Sequence, residues 1–250
     1  MALMLEQATV KLGRAVLIDR VSLAIRPGQV TVMLGANGAG KSTALGVLAG
    51  DIQVSSGRAT LEGRDVKSIP LAELALRRAV VCQHAPISFP LMVHEVVALA
   101  RHAARGSHRR HDHAVEQAMH ETGILALAGR DYSTLSGGER QRVQIARALA
   151  QLVDPGEGEP PYLLMDEPTA HLDLKHQVRA LEIARDLASR GGGVLCILHD
   201  MALAREFADE IVLMRAGAVL DIGGPATILT SHNIEAAFDL APERARAMAF

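Results

Sequence analysis

Hydrophobic and polar positions alternate at the start of the chain and switch to longer periods further on. Val21, Leu23 and Ile25 alternate with Ser22 and Ala24, the period-two pattern of a half-buried antiparallel strand. Residues 3 to 25 therefore read as strands, with a turn at Lys11-Leu-Gly-Arg14. Arg26-Pro-Gly-Gln29 turns the chain into the apolar run Val30-Thr-Val-Met-Leu34, which reads as a buried strand. Ala44 to Ala49 follows at helical spacing. A break at Ser55-Ser-Gly57 precedes a short strand, Arg58 to Glu62, which Gly63-Arg-Asp65 turns. Leu71 to Arg78 has helical character, and Ala79-Val-Val-Cys82 is again strand-like, with Gln83 at its end.

From residue 93 to 151 the period is helical: Val96, Leu99 and Ala100, then Val115, Ala118 and Met119. This stretch reads as a helix-rich insertion between two core strands, and the segment Leu152 to Pro161 as a loop. Tyr162-Leu-Leu-Met165 is a short apolar strand ending in Asp166-Glu167. Leu174 to Arg190 is a long helix stopped by Gly191-Gly-Gly193. Val194-Leu-Cys-Ile-Leu198 is a buried strand ending in His199. Ile211 to Met214 and Ala218 to Ile222 form a hairpin-like pair, and the tail from Pro225 is helical. Strands alternating with helices predict an α/β fold.

Composition narrows the class. The 250 residues are 49% hydrophobic and 22% charged, ample for a core and unlike a disordered chain. A net charge of -2 argues against a general nucleic-acid binder. Cys82 and Cys196 lie far apart in apolar runs and read as buried thiols of a reducing compartment. Met1-Ala-Leu-Met-Leu5 meets Glu6 too soon for a signal peptide. No apolar run approaches the ~20 residues that span a bilayer. Work at a membrane would therefore be done from the side, through a partner.

The chemistry begins at Gly35-Ala-Asn-Gly-Ala-Gly-Lys-Ser-Thr43, which fits G-x-x-x-x-G-K-[ST] between a strand and a helix. Glycines let the backbone approach phosphates without a Cβ in the way. Successive N–H groups then face one concavity at the positive end of a helix dipole. Gly35, Ala36, Asn37, Gly38, Ala39, Gly40, Lys41, Ser42 and Thr43 are thus candidate nucleotide ligands. Lys41 supplies a cation for the β- and γ-phosphates, and Ser42 a hydroxyl for Mg²⁺. Three strand ends should share the same crevice, because ligands of parallel sheets bind outside the carboxyl ends of strands. They carry Gln83, Asp166-Glu167 and His199. Leu135-Ser-Gly-Gly-Glu-Arg-Gln141 opens a further helix, whose N-terminus at Ser136, Gly137 and Gly138 suits an anion.

Together these motifs resemble the nucleotide-binding subunits of ABC transporters, over the span from about Leu3 to Leu240. Leu135 to Gln141 is similar to the signature sequence of that family. The resemblance implies a RecA-like phosphate-loop NTPase core, an N-terminal antiparallel β subdomain and a helical subdomain at about 90–155 inserted in the core, all within one ABC ATPase domain spanning 1–250. It implies ATP and Mg²⁺ as cofactors. Ser42, Gln83 and Asp166 would hold Mg²⁺, Glu167 would act as general base, and His199 would contact the γ-phosphate, with Gln83 beside them in the catalytic group. Ser136, Gly137, Gly138 and Gln141 would serve the nucleotide of the opposite subunit. Asp173, in Ala170-His-Leu-Asp173, would belong to the loop that crosses the dimer interface. His171 departs from the small residue usual there.

The family stacks adenine on an early aromatic residue. Here the first aromatic is Phe89, so Leu12 or Val16 would supply an apolar face instead. The apolar segment His84 to Val93 would form a groove for a helix of a membrane partner.

The partners implied are a second copy of the chain, integral-membrane permease subunits and, indirectly, a periplasmic substrate-binding protein. The place implied is the cytoplasmic face of the inner membrane, held peripherally. Within the family, the chain resembles the ATP-binding subunits of importers for siderophores, cobalamin and haem. Ala150-Gln-Leu152, Asp173-Leu-Lys-His-Gln177 and Gly191 to Asp200 are most similar to hemin importers. The alternatives are a siderophore or cobalamin importer ATPase, or a soluble ATPase of iron–sulfur cluster assembly. A non-hydrolysing ATP-gated module is disfavoured by Glu167 beside Asp166. The run holding His102, His108, His111 and His113 lacks convincing metal-ligand spacing and reads as a solvated basic face.

Overall fold

The computed structural model describes residues 2–82, 87, 89–104, 107–153 and 158–249. Strands β1 (Leu3–Leu12) and β2 (Ala15–Ile25) form an antiparallel hairpin. Strand β3 (Val30–Gly35) is buried throughout and leads through the glycine loop to α1 (Lys41–Ala49). Strand β4 (Ser56–Leu61) returns to pair antiparallel with β1, and β5 (Arg64–Asp65) pairs with β4. Arg64 and Asp65 were expected in a turn. They are too few to show a period, and pairing with Leu61 and Thr60 makes them a strand. Helix α2 (Leu71–Arg77) and strand β6 (Arg78–Val81) follow.

Helices α3 (Val93–Ala98), α4 (His108–Glu121) and α5 (Gly137–Gln151) lie in the chain between β6 and β7 (Tyr162–Asp166). Next come α6 (Leu174–Ser189), β8 (Gly193–Ile197), α7 (Met201–Phe207), β9 (Glu210–Arg215) and β10 (Ala218–Gly223). The tail holds α8 (Pro225–Ile228), α9 (Ser231–Phe238) and α10 (Pro242–Met248).

Sequence periodicity does not reveal α7, because seven residues after a buried strand leave no clear period. Its signal is the cap: the Asp200 carboxylate accepts from the N–H groups of Ala202 and Leu203. The cap of α5 is a reciprocal one. Glu139 N donates to the Ser136 hydroxyl at 3.3 Å, and Ser136 N donates to the Glu139 carboxylate at 2.8 Å.

Two sheets result. The first is four-stranded and antiparallel, in the order β2-β1-β4-β5. The second is six-stranded, in the order β10-β9-β3-β8-β7-β6, parallel except for β10. Strands β3, β7 and β8 at its centre are buried throughout, which is why they read as continuous apolar runs, whereas the edge strand β10 is largely exposed. Alternate residues nevertheless serve different cores. Val32, Leu163, Val194 and Leu213 join one cluster with α5 and α6. Met33, Leu164, Leu195 and Val212 join another with α1 and the four-stranded sheet. One layer thus covers each face of the central sheet, as expected of a RecA-like α/β core. Strand β8 lies between β3 and β7, so three carboxyl ends stand side by side.

Candidate functional site

The glycine loop leaves β3 at Gly35 and reaches α1 at Gly40. Gly40 has φ of +93°, and a Cβ there would stand 2.7 Å from the Leu17 carbonyl oxygen. Only glycine meets both demands, so the four-stranded sheet can press directly on the loop. From the other side Gly217 N donates to Ala39 O at 3.1 Å. Gly217 O in turn accepts from Asp19 N at 2.8 Å. The loop is therefore held between two distant parts of the chain, strand β2 and the turn between β9 and β10. The cavity over it, of about 660 Å³, is lined by Asn37 to Thr43, Val16, Leu17, Glu167, Ala216 and Gly217.

Lys41 is buried, and its Nζ donates to the carbonyls of Gly35 at 2.8 Å and Ala36 at 3.0 Å. Burial lowers its pKa, while the nearby carboxylates of Glu167 and Asp166 push it back up. Asp166, at the end of β7, has the opposite problem. Burial raises its carboxyl pKa, a hydrogen bond from Ser42 lowers it, and the Glu167 charge raises it further. Asp166 Oδ1 is buried without a hydrogen-bond partner among the described residues. An orphaned carboxylate oxygen beside a hydroxyl is the donor set of a small hard cation.

Glu167 follows with φ of +51°, outside the strand geometry. This bend carries its side chain into the cavity wall. His199 follows β8, and its Nε2 lies 2.6 Å from Glu167 Oε1. The Glu167 side chain is 23% exposed and that of His199 46%, so the pair is open to solvent, with Glu167 on the cavity wall.

The described residues bring the glycine loop, Asp166, Glu167 and His199 together. Gln83 lies outside the described residues, as does most of the segment His84 to Ser88. Ser136, Gly137 and Gly138 do not line the cavity. They open α5 beside His171, and Gln141 Nε2 donates to Pro168 O at 3.3 Å. Asp173 caps α6 through His176 N at 2.9 Å. Of the two residues considered for the base, Val16 lines the cavity, whereas Leu12, 72% exposed, does not. Sequence reasoning missed Leu17, Ala216 and Gly217. The hairpin turn between β9 and β10 signals Gly217, but its approach to the loop has no local signature.

The ABC transporter family model matches residues 18–170, the span from the second strand to just past the paired carboxylates. The chain belongs to the ABC transporter family. It is accordingly an ATP-hydrolysing subunit whose activity is coupled to transport. Hemin import ATP-binding protein HmuV of Rhizobium meliloti (strain 1021) is 42% identical over 231 residues, covering 92% of this chain and 88% of that protein. The protein of the same name from Streptomyces coelicolor is 43% identical over 232 residues, covering 92% and 80%.

A solved ATP-binding subunit of an ABC transporter superposes with a TM-score of 0.82 over 99% of this chain and 98% of that one; at 21% identity it shows the shared fold. A dimeric bacterial ABC transporter cassette superposes with a TM-score of 0.77 at 27% identity, covering 89% of this chain and 98% of that one. Among the described residues no helix is long and apolar enough to cross a membrane.

Proposed function

We propose that this chain energises hemin import across an inner membrane, as one half of a head-to-tail homodimer docked on permease subunits. The observation that supports the catalytic reading is the juxtaposition of three neighbouring strand ends, bearing the glycine loop, Asp166-Glu167 and His199. The cargo reading is supported by similarity over nine-tenths of the chain to relatives named for hemin import.

In this reading the loop amides from Asn37 to Thr43 and Lys41 bind the phosphates. Lys41 exchanges its contacts with the Gly35 and Ala36 carbonyls for the β- and γ-phosphates. Ser42 and Asp166, with Gln83, hold Mg²⁺, which would neutralise charge on the phosphate oxygens. The orphaned Asp166 Oδ1 fits that role. Glu167 accepts the proton of the attacking water as the new O–P bond forms and the bond to the β-phosphate oxygen breaks. His199 holds Glu167 and the water in line. The N-terminus of α5, at Ser136 to Gly138, serves the nucleotide of the second copy. A permease helix would seat on the segment His84 to Val93, and a periplasmic binding protein would deliver cargo from outside.

Deleting the gene tests the cargo. Growth on haem as sole iron source should stop, growth on ferric salts should continue, and the gene in trans should restore the first. If growth on haem survives while cobalamin or siderophore uptake fails, the cargo assignment is wrong and the transport assignment stands. Failure to copurify with a detergent-solubilised membrane protein would instead favour a soluble role.

A further inference from the structure

Three neighbouring strands of the four-stranded sheet break their regular pairing at one line. Gln7 on β1, Arg20 on β2 and Gly57 on β4 all have left-handed backbones, with φ of +49°, +47° and +76°. Between the pairs Ala8–Val21 and Val10–Ile18, β1 contributes one residue, Thr9, and β2 contributes Asp19 and Arg20. Strand β2 therefore bulges there, and a bulge bends its strand and re-aims what lies beyond. On the β4 side, a Cβ on Gly57 would stand 2.2 Å from Gln7 O. Glutamine and arginine enter the left-handed region only under constraint, so the surroundings must hold this crease in place.

Thr9 supplies that hold. It is buried, and its Oγ1 accepts from Arg20 N at 3.0 Å and lies 3.5 Å from Asp19 Oδ1. Its own carbonyl accepts from Ser55 N at 2.7 Å, which ties it to the segment before β4. The hydroxyl thus satisfies an amide of the bulge that has no partner residue in the pairing register.

The residues next to the bulge are the ones that meet the glycine loop. A Cβ on Gly40 would stand 2.7 Å from both Leu17 O and Ile18 Cγ2. Asp19 N donates to Gly217 O at 2.8 Å, and Gly217 N donates to Ala39 O at 3.1 Å. Val16 and Leu17 line the cavity over the loop.

We infer that Thr9 is a positioning residue for the nucleotide: by holding the Arg20 amide it aims the tip of the β1–β2 hairpin at the glycine loop and so sets the affinity of the site for ATP. The inference rests on the proposed reading that the cavity over the loop takes ATP. The hairpin supplies no group to proton or phosphoryl transfer. Its contribution is therefore binding that substrate and transition state share, which shows in KM and not in kcat.

The test compares Thr9→Val and Thr9→Ser in the full transporter. Valine keeps the shape and leaves the Arg20 N–H without its acceptor; serine keeps the hydroxyl. Thr9→Val should raise the KM and Kd for ATP about tenfold, the scale of one amide left unpaired. Its kcat at saturating ATP should stay within about twofold of wild type, and Thr9→Ser should stay within about twofold in all three. A lowered melting temperature in Thr9→Val with unchanged KM and Kd would mean a merely structural role and overturns the inference. A loss in Thr9→Ser equal to that in Thr9→Val also overturns it, since the hydroxyl would then not be the group at work.

Should Thr9→Val fail to fold, hydrogen exchange at the Arg20 amide of the wild-type chain decides. Mg²⁺ with a non-hydrolysable ATP analogue should slow that exchange about tenfold or more, because nucleotide held by the hairpin tip must hold the bulge closed. Equal exchange with and without nucleotide overturns the inference. Nucleotide binding by Lys41→Ala is measured alongside and should be lost. Binding at wild-type strength there would overturn the reading of the loop itself, and is thereby told apart from failure of Thr9 alone.

Discussion

His199 Nε2 lies 2.6 Å from Glu167 Oε1, a contact between residues that follow adjacent parallel strands. Strand pairing sets this distance: Asp166 pairs with Ile197, so the residues just beyond each strand end emerge side by side. A short bond to an imidazole fixes the direction of a carboxylate that would otherwise rotate. Replacing Glu167 with Gln should keep ATP binding and reduce turnover by about 10²–10⁴-fold, the range for general-base removal. Replacing His199 with Ala should lower kcat with little change in nucleotide affinity. ATPase assays with the permease present, and nucleotide binding by calorimetry, check both. Near-normal turnover in Glu167→Gln would remove it from the mechanism.

Asp166 offers a pH-dependent test. Burial holds its carboxyl pKa above the ordinary value. A carboxyl whose folded pKa is raised favours folding when protonated and opposes it when ionised. The penalty is therefore present at neutral pH and disappears as pH falls through the folded pKa. Asp166→Asn should melt higher than wild type at pH 7 without nucleotide, and the gap should close as the solution is acidified. The same variant should lose the added stability conferred by Mg²⁺ and ATP. Thermal melts over a pH series measure both, and a wild type more stable than Asp166→Asn at pH 7 would contradict the sign.

The base contact is the next expectation. Among the described residues lining the phosphate cavity there is no aromatic side chain. Stacking is worth roughly 1–3 kcal/mol per base in other systems. We expect modest preference for ATP over GTP, with affinity dominated by the phosphates. Val16 lines the cavity and Leu12 does not, so Val16→Tyr should tighten ATP binding and Leu12→Tyr should do less. Competition binding that shows strong adenine selectivity in the wild type would count against this.

Stability should depend on the central sheet more than on the rim. Leu164 is fully buried on the face shared with α1. Leu164→Ala should lose about 2–5 kcal/mol, as buried leucine truncations do. Leu12→Ala, at an exposed hairpin end, should shift stability by less than about 0.5 kcal/mol. Urea unfolding of the two variants gives the comparison directly.

The histidines on α4 and before it supply a control. His102 and His113 are exposed and stand away from the glycine loop. Replacing both with Ala should leave ATPase and transport rates within about twofold, a surface substitution away from the site. Loss of transport with intact ATPase would give that segment a role in cargo or permease contact.

Sequence alone determined what depends on local chemistry and period. The run Val30 to Leu34 followed by Gly35 to Thr43 announced a strand, a phosphate loop and a helix, because apolar period and glycine spacing are both local. Asp166, Glu167 and His199 were legible as strand-end groups for the same reason. Asp200, by contrast, marked a helix too short for its period to register. Tertiary structure alone decided what depends on residues far apart in the chain. It brought Leu17 and Gly217 against the glycine loop, put Val16 and not Leu12 on the cavity wall, and paired β4 with β1 across the intervening β2, β3 and α1. It also pressed His171 onto Gly137 and Gly138. Close approach of this kind leaves no period in the sequence, because the missing Cβ matters only to the neighbour that fills its place.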